Sequence, residues 1–184
     1  MPTLIKDGAV AVDGWQFLSE ESLNEESLSE ESLAASPDAK KGAIDSLPAG
    51  KVIVPIALWL EHREALRQRL PDIAVWLQGH EDPEPLAADT GELPLIAVNF
   101  PVFSDGRGFS TGRLLRERYG FGGELRATGY YLREQLCYLR RCGFNAFSLD
   151  DRYDPQAALS SLEDFSEYYQ SSFDQPLPLF RRRA

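Results

Sequence analysis

The sequence predicts an α/β fold built on an open, mostly parallel sheet of about five strands. From residue 51 onward, short apolar runs of the length of buried strands alternate with longer amphipathic patterns typical of helices. Strands that alternate with helices are usually joined by right-handed crossovers, which makes neighbouring strands parallel. With 184 residues and 43% hydrophobic content, the chain is long enough to bury one substantial core.

Residues 1–18 are predicted to form an N-terminal β-hairpin arm. The dipeptide Asp7-Gly8 separates two β-prone runs, and Asp-Gly is a strong signal for a two-residue hairpin turn. Trp15 and Phe17 follow the hairpin, and we expect them to pack the arm against the main body.

Residues 19–50 are predicted to be a flexible acidic linker. A pentad with the pattern Ser/Asn-Glu-Glu-Ser-Leu occurs three times in tandem, over residues 19–23, 24–28 and 29–33. Leucines spaced by five form neither a helical stripe nor one face of a strand. The segment carries −6 of the chain's net charge of −10, which favours a solvated linker over an acidic partner-binding arm.

Residues 51–165 are predicted to be the α/β domain, and residues 166–184 a C-terminal tail whose end, residues 177–183, is basic. Five strands are too few to close an eight-stranded barrel, so the prediction favours a flavodoxin-like or Rossmann-like sheet, with a half-barrel as the alternative. Gly120 and Gly143 suit the ends of two helices, and Pro155 suits the first turn of the last. The predicted strands are 51–54, 73–77, 95–100, 123–128 and 145–149, and the predicted helices are 56–70, 109–119, 131–141 and 155–165, with one short helix near Leu86.

The loop that follows the strand at 95–100 is the main candidate site. In a parallel sheet, ligands bind at the carboxyl ends of the strands. Glycines in this loop allow positive φ and a close approach of backbone amides to an anion, and the following helix N-terminus adds partial positive charge. Alternatively, the loop is a tight turn whose arginines pair with Asp105 and Glu117. The candidate anion-binding residues are Asp105, Gly106, Arg107, Gly108 and Arg113.

Secondary candidates lie at the ends of other predicted strands. Asn99 and Asp150 are polar residues at or just after a strand's carboxyl end, where ligands gather. Strand alternation puts Glu124 and Arg126 on the same side of the fourth strand, which is unusual for a strand covered on both faces. This charged pair is either an ion pair at the end of the sheet or part of the site.

Composition and missing motifs exclude several functions. A net charge of −10 argues against nonspecific nucleic-acid binding and against anionic membrane surfaces. The chain has neither a membrane-length apolar stretch nor a secretory leader pattern, so we expect a cytoplasmic protein. Cys137 and Cys142 point in different directions on a helix, and no metal site is expected. We find no catalytic, flavin or nicotinamide motif, so no cofactor is evident and enzymatic activity stays open.

Five blocks of sequence together resemble a bacterial domain-of-unknown-function family, number nine hundred thirty-four. The resemblance extends from about Lys51 to the end of the chain and more weakly over the N-terminal arm. The blocks are Val54-Pro55-Ile56-Ala57-Leu58-Trp59, Asn99-Phe100-Pro101-x-Phe103-x-Asp105-Gly106-Arg107, Arg113-Leu114-Leu115-Arg116-x-Arg118-Tyr119-Gly120-Phe121, Gly123-Glu124-Leu125-Arg126-Ala127-x-Gly129 and Arg141-Cys142-Gly143-Phe144.

The resemblance implies an accessory role in assimilatory sulfite reduction. Members are often labelled probable oxidoreductases, and their genes commonly sit beside the haemoprotein of assimilatory sulfite reductase, which makes that reductase the implied partner. The family has no settled catalytic residues to transfer. Tyr130, Glu134 and Asn145 stand where the family pattern has aspartate, which puts activity in doubt if those acids are catalytic. The alternative function is a small-molecule or anion-binding α/β enzyme that uses the Asp105–Arg113 loop.

Overall fold

The computed structural model describes residues 3–18 and 47–182. The pentad repeats and most of the predicted linker, residues 19–46, lie outside the described residues. The strands are β1 (Thr3–Lys6), β2 (Ala9–Ala11), β3 (Gln16–Phe17), β4 (Val52–Pro55), β5 (Ile73–Gln78), β6 (Leu95–Phe100), β7 (Glu124–Gly129) and β8 (Ala146–Leu149). The α-helices are α1 (Ile56–Glu61), α2 (Arg63–Arg67), α3 (Arg107–Glu117), α4 (Leu136–Arg141), α5 (Pro155–Ser161) and α6 (Leu179–Arg182), and 3-10 turns cover Glu84–Leu86 and Arg133–Gln135.

The predicted N-terminal hairpin is present and belongs to the main sheet. Asp7 and Gly8 have φ of 50° and 78°, the positive values that a tight two-residue hairpin turn requires. β1 pairs antiparallel with β2 on one side and with β8 on the other. The hairpin is therefore an extension of the domain's own sheet.

All eight described strands form one mixed sheet in the order β2-β1-β8-β7-β6-β5-β4-β3. Neighbours from β3 to β8 are parallel, whereas β1 is antiparallel to both of its neighbours. The expectation of about five strands in a mostly parallel sheet is therefore wrong. The N-terminal arm supplies the difference, because β1 and β2 extend the β8 edge and β3 extends the β4 edge.

The sheet is an open, strongly curled half-barrel, which was the alternative, and not the favoured flavodoxin-like or Rossmann-like arrangement. Strands β4 to β8 lie side by side in chain order, so the crossovers all advance in one direction and the order never reverses. The sheet has to curl because the connection between β2 and β3 is too short to join the edges of a flat sheet. The five steps from Ala11 at one edge to Gln16 at the other span at most about 18 Å, whereas the edges of a flat eight-stranded sheet lie about 33 Å apart.

Residues 12–15, which we call the strap, connect these two edges across the concave face. Because β2 runs in the same direction as β8, the strap leaves β2 at the carboxyl edge of the sheet. It enters β3 beside Val52, the first residue of β4, at the amino edge. The strap therefore crosses the concave face diagonally.

The two faces of the sheet have different cores. The convex face, with Val54, Val75 and Val98, packs against the helices in the main hydrophobic cluster. The concave face carries a smaller cluster that includes Ile53 and Trp76 and is covered by Trp15 of the strap. In residues 3–18 and 47–182, the helices pack against the convex face, and the concave face is lined by side chains of the sheet and of the strap.

All four of the longer predicted helices have different boundaries in the structure, and α3 covers residues 107–117 instead of 109–119. The predicted helix 56–70 is two short helices, α1 and α2, interrupted at His62, which has φ −119° and ψ 25°. The predicted helix 131–141 begins as a 3-10 turn and becomes α-helical only at Leu136. The last predicted helix ends at Ser161 instead of residue 165. Within residues 3–18 and 47–182, no helix is both long and apolar enough to cross a membrane.

Candidate functional site

The loop after β6 lies at the carboxyl edge of the sheet, and its acid and arginine bind each other. Asp105 Oδ1 accepts hydrogen bonds from the backbone N–H of Arg107 at 3.1 Å and from its Nε at 2.9 Å. Arg107 Nη2 donates to Asp105 Oδ2 at 2.7 Å. These hydrogen bonds from the Arg107 side chain lower the pKa of Asp105 to about 2. The guanidinium is exposed, but an incoming anion has to compete with Asp105 for it.

The second arginine of this candidate site is also paired. Arg113 Nε lies 2.9 Å from Glu117 Oε2, one helical turn further along α3. Arg113 is six positions after Arg107, which turns the two side chains about 120° apart around the helix. The structure therefore contains the internal pairing weighed as the alternative, and anion binding at this loop stays a prediction.

The glycines of this region let α3 pack closely on the sheet. Gly106, the N-cap of α3, has φ −81°, so it does not use the positive φ expected from the sequence. A Cβ at Gly108 would lie 2.6 Å from the Phe100 ring, and one at Gly112 would collide with the Phe144 ring. α3 can pack this closely on the Phe100 and Phe144 rings only because both positions are glycine.

The other sequence candidates fall at separate places. Asp150 lies in the exposed turn after β8 with its carboxylate 3.6 Å from Arg152 Nε. Asn145 lies at the opposite, amino end of β8, where its Oδ1 accepts from the backbone of Leu125 at 2.8 Å and its Nδ2 donates to Asp7 at 2.9 Å. Asn145 thus connects neighbouring strands. Tyr130 and Glu134 are exposed at the carboxyl edge.

The concave face carries a row of four polar side chains near the carboxyl edge. Gln78 and Asn99 are register partners, and so are Asn99 and Thr128, with Ser148 at the next position on β8. Asn99 Nδ2 donates to Gln78 Oε1 at 2.8 Å, and Thr128 Oγ1 lies 3.4 Å from Asn99 Oδ1. We call these residues the polar row.

Arg126 lies one layer below the polar row and is the most deeply buried cation of this face, with a side chain 2% exposed. Its Nε donates to Glu124 Oε1 at 2.8 Å, so the ion pair that was one of the two alternatives for this strand is present. Its Nη1 donates to Asp13 Oδ2 of the strap at 2.8 Å. Lys6 Nζ lies 2.8 Å from the other oxygen of Glu124. The four charges balance one another.

A cavity of about 360 Å³ lies between the strap and the polar row. Its volume falls in the range of small-molecule pockets, and it lies at the carboxyl end of parallel strands. The structure therefore brings together two secondary candidates, Asn99 and Arg126, and leaves Asp150 apart. The wall of this cavity includes Asp13, Trp15, Asn99, Arg126, Thr128 and Ser148.

A larger groove of about 650 Å³ lies against α5 and the amino end of β8. It contains carboxylates from Asp7 and Glu163 and the guanidinium of Arg140. Asn145 also lines this groove, whereas none of the candidate anion-binding residues or secondary candidates faces it. In the part of the chain that the structure describes, no group of three or more His, Cys, Asp or Glu side chains is placed to hold a metal ion.

Sequence reasoning missed the contribution of Asp13 to the concave site. Asp13 and Arg126 are separated by 113 residues, so no local pattern connects them. The available signal was the isolated acid between the hairpin and Trp15, together with an arginine on a strand expected to be covered on both faces.

The chain belongs to the bacterial family described as "Bacterial protein of unknown function (DUF934)". The family model matches residues 74–180, more than half of the chain. The matched region contains β6, β7 and the whole polar row, whereas the strap lies outside it. Comparisons with curated proteins and with solved structures found no match.

Proposed function

We propose that this protein is a cytoplasmic accessory protein of assimilatory sulfite reduction, supporting the sulfite reductase haemoprotein or its electron supply. The proposal rests on the chain's membership of this family, whose model matches residues 74–180. Genes of this family commonly sit beside the gene of that haemoprotein, as the resemblance above implies. Neighbouring bacterial genes usually serve one process.

An exposed apolar surface at the carboxyl edge supports a partner-binding role. Val102 and Phe103 after β6 and Tyr130 after β7 each expose more than half of their surface. The two loops are adjacent, because Tyr130 N donates to Phe100 O at 2.7 Å. Clustered exposed apolar side chains commonly mark protein interaction sites. We assign the contact with the reductase to this surface.

Growth on different sulfur sources tests the proposal. We expect a deletion strain to grow poorly on sulfate and on sulfite, and normally on sulfide and on cysteine, because only the first two require sulfite reduction. The wild-type gene should restore growth, and the Phe103→Ser/Tyr130→Ser double variant should not. Phe165→Ser, which changes an exposed aromatic residue elsewhere, serves as the matched control. Growth on sulfate equal to that of the parent strain would remove the sulfur assignment.

The second candidate is anion binding at the Asp105–Arg113 loop. The observation that favours it is the position of this loop at the carboxyl edge, where ligands of parallel sheets bind. An anion that bridges Arg107 and the amides at the start of α3 would replace the Asp105 contacts.

Thermal unfolding with sulfite or sulfate tests this candidate. We expect either anion to raise the melting temperature of the wild type and to have no effect on Arg107→Ala, because the variant lacks the exposed guanidinium. Arg118→Ala, at the other end of the same helix, should respond like the wild type. Identical melting of the wild type with and without every anion would rule this candidate out.

A further inference from the structure

The concave face contains a buried arginine, Arg126, that has no part in either of the two functions proposed above. We propose that Arg126 binds a small organic carboxylate inside the half-barrel, and that the carboxylate of Asp13 occupies this position when no ligand is bound. The site is separate from Arg107 and Arg113, which are on α3 at the convex face.

Arg126 retains hydrogen-bonding capacity beyond its present contacts. A guanidinium has five N–H groups. Nε is bound to Glu124 and Nη1 to Asp13. Nη2 lies 2.6 Å from the same Glu124 oxygen, so each of the two terminal nitrogens, with two N–H groups apiece, has a single carboxylate neighbour. A ligand oxygen beside the strap would therefore meet a buried, charged group with donors available.

The charge balance selects an anion as the ligand. Glu124 is shared between Lys6 and Arg126, so the carboxylate of Asp13 provides the second negative charge of the cluster. If Asp13 moves away, the cluster keeps one uncompensated positive charge on a group that is almost fully buried. Such a charge is unfavourable in a low-dielectric environment and strongly prefers a negative partner.

Asp13 is placed as a replaceable partner, unlike Glu124. Glu124 is part of β7, where it is the register partner of Leu95 on β6. Asp13 belongs to the strap, which has no strand pairing, and it lies between exposed Val12 and Gly14. Its Oδ1 accepts the backbone N–H of Trp15 at 3.0 Å, so the turn that presents this carboxylate is local.

The remaining walls of the cavity suit a small organic molecule. Thr128 and Ser148 of the polar row provide hydroxyl groups on one side. Trp15 and Phe17 provide aromatic surface on the other, and Phe17 also packs against Trp76 with ring centroids 5.1 Å apart. A carboxylate with a compact apolar body, bound to Arg126 and enclosed by these rings, fits a cavity of about 360 Å³.

Titration calorimetry of the full chain with benzoate and benzamide tests the proposal. Asp13→Asn keeps the side-chain oxygen that caps the strap turn and removes the competing charge. We expect this variant to bind benzoate at least about tenfold more tightly than the wild type does, because a charged hydrogen-bonding partner is restored. Benzamide has the same shape without the charge, so its binding should not change.

Amide NMR spectra of Asp13→Asn locate the ligand. Benzoate should shift the signals of Thr128, Gly129 and Ser148, and adding Arg107→Gln should leave its affinity unchanged. Benzoate affinity that is equal in Asp13→Asn and wild type, or equal responses to benzoate and benzamide, would overturn the proposal. Loss of affinity with Arg107→Gln would move the site to the loop. These outcomes are independent of the growth phenotype that tests the sulfite reductase assignment.

Discussion

Replacing Asp89 with alanine is expected to lower the free energy of unfolding by about 3–5 kcal/mol, because it leaves buried donors without an acceptor. The Asp89 side chain is fully buried. Its Oδ2 accepts from Trp59 Nε1 at 2.9 Å and lies 3.1 Å from Arg63 Nε. Its Oδ1 accepts from Arg67 Nη2 at 2.9 Å. The carboxylate thus fixes α1 and α2 to the loop before β6.

Urea unfolding of purified protein measures this loss, and Glu64→Ala is the matched control. Glu64 is 90% exposed and lies 3.6 Å from Arg67, the same arginine that Asp89 binds. Exposed ion pairs contribute little, so the control should lose less than about 0.5 kcal/mol. Equal losses in the two variants would show that burial of Asp89 does not matter to the stability of the helix pair.

Arg116→Ala is expected to destabilise the protein by about 3 kcal/mol, because one buried guanidinium holds several backbone carbonyls at the amino end of the sheet. Arg116 Nε donates to Gly143 O at 2.8 Å, and Nη1 donates to Gly123 O at 2.9 Å and also to Phe121 O. Its Nη2 donates to Asn145 Oδ1 at 3.0 Å. Without the arginine, these oxygen atoms lose their hydrogen-bond donor at positions where solvent does not replace it.

Denaturant unfolding of Arg118→Ala provides the comparison for Arg116→Ala. Arg118 caps the same helix but is exposed, and its guanidinium lies over the Tyr119 ring at 5.8 Å. The control should unfold close to the wild-type midpoint. Arg116→Lys keeps the charge but cannot reproduce the planar fork, so it should recover only part of the loss. Full recovery by lysine would contradict the role assigned to the carbonyl contacts.

The sequence was sufficient to locate most strands because their signals are local. The apolar run at residues 95–100 coincides with β6, and Asp7-Gly8 forms the expected hairpin turn. β3 was missed because it has only two residues and pairs with β4 on account of the curl of the sheet. The break at His62 was also missed, since the residues on both sides of it favour a helix.

The choice between an open sheet and a half-barrel could not be made from local patterns. It depends on whether successive crossovers advance in one direction, and the apolar runs of β4 and β5 are equally compatible with either arrangement. The contacts of the candidate site also divide into those that a local pattern identifies and those that depend on distant segments. Alternation on β7 identified the Glu124–Arg126 pair, whereas the contact of Arg126 with Asp13 depends on the path of a distant segment.

The number of residues in the strap sets an upper limit on the radius of this half-barrel. One additional residue would lengthen the connection by about 3.5 Å, less than the roughly 4.8 Å that one more strand adds to the width of a sheet. A homologue with a wider sheet therefore needs a longer connection or tighter bending. An insertion or deletion within residues 12–15 should therefore change the width or the bending of the half-barrel, and a crystal structure of such a variant would show it.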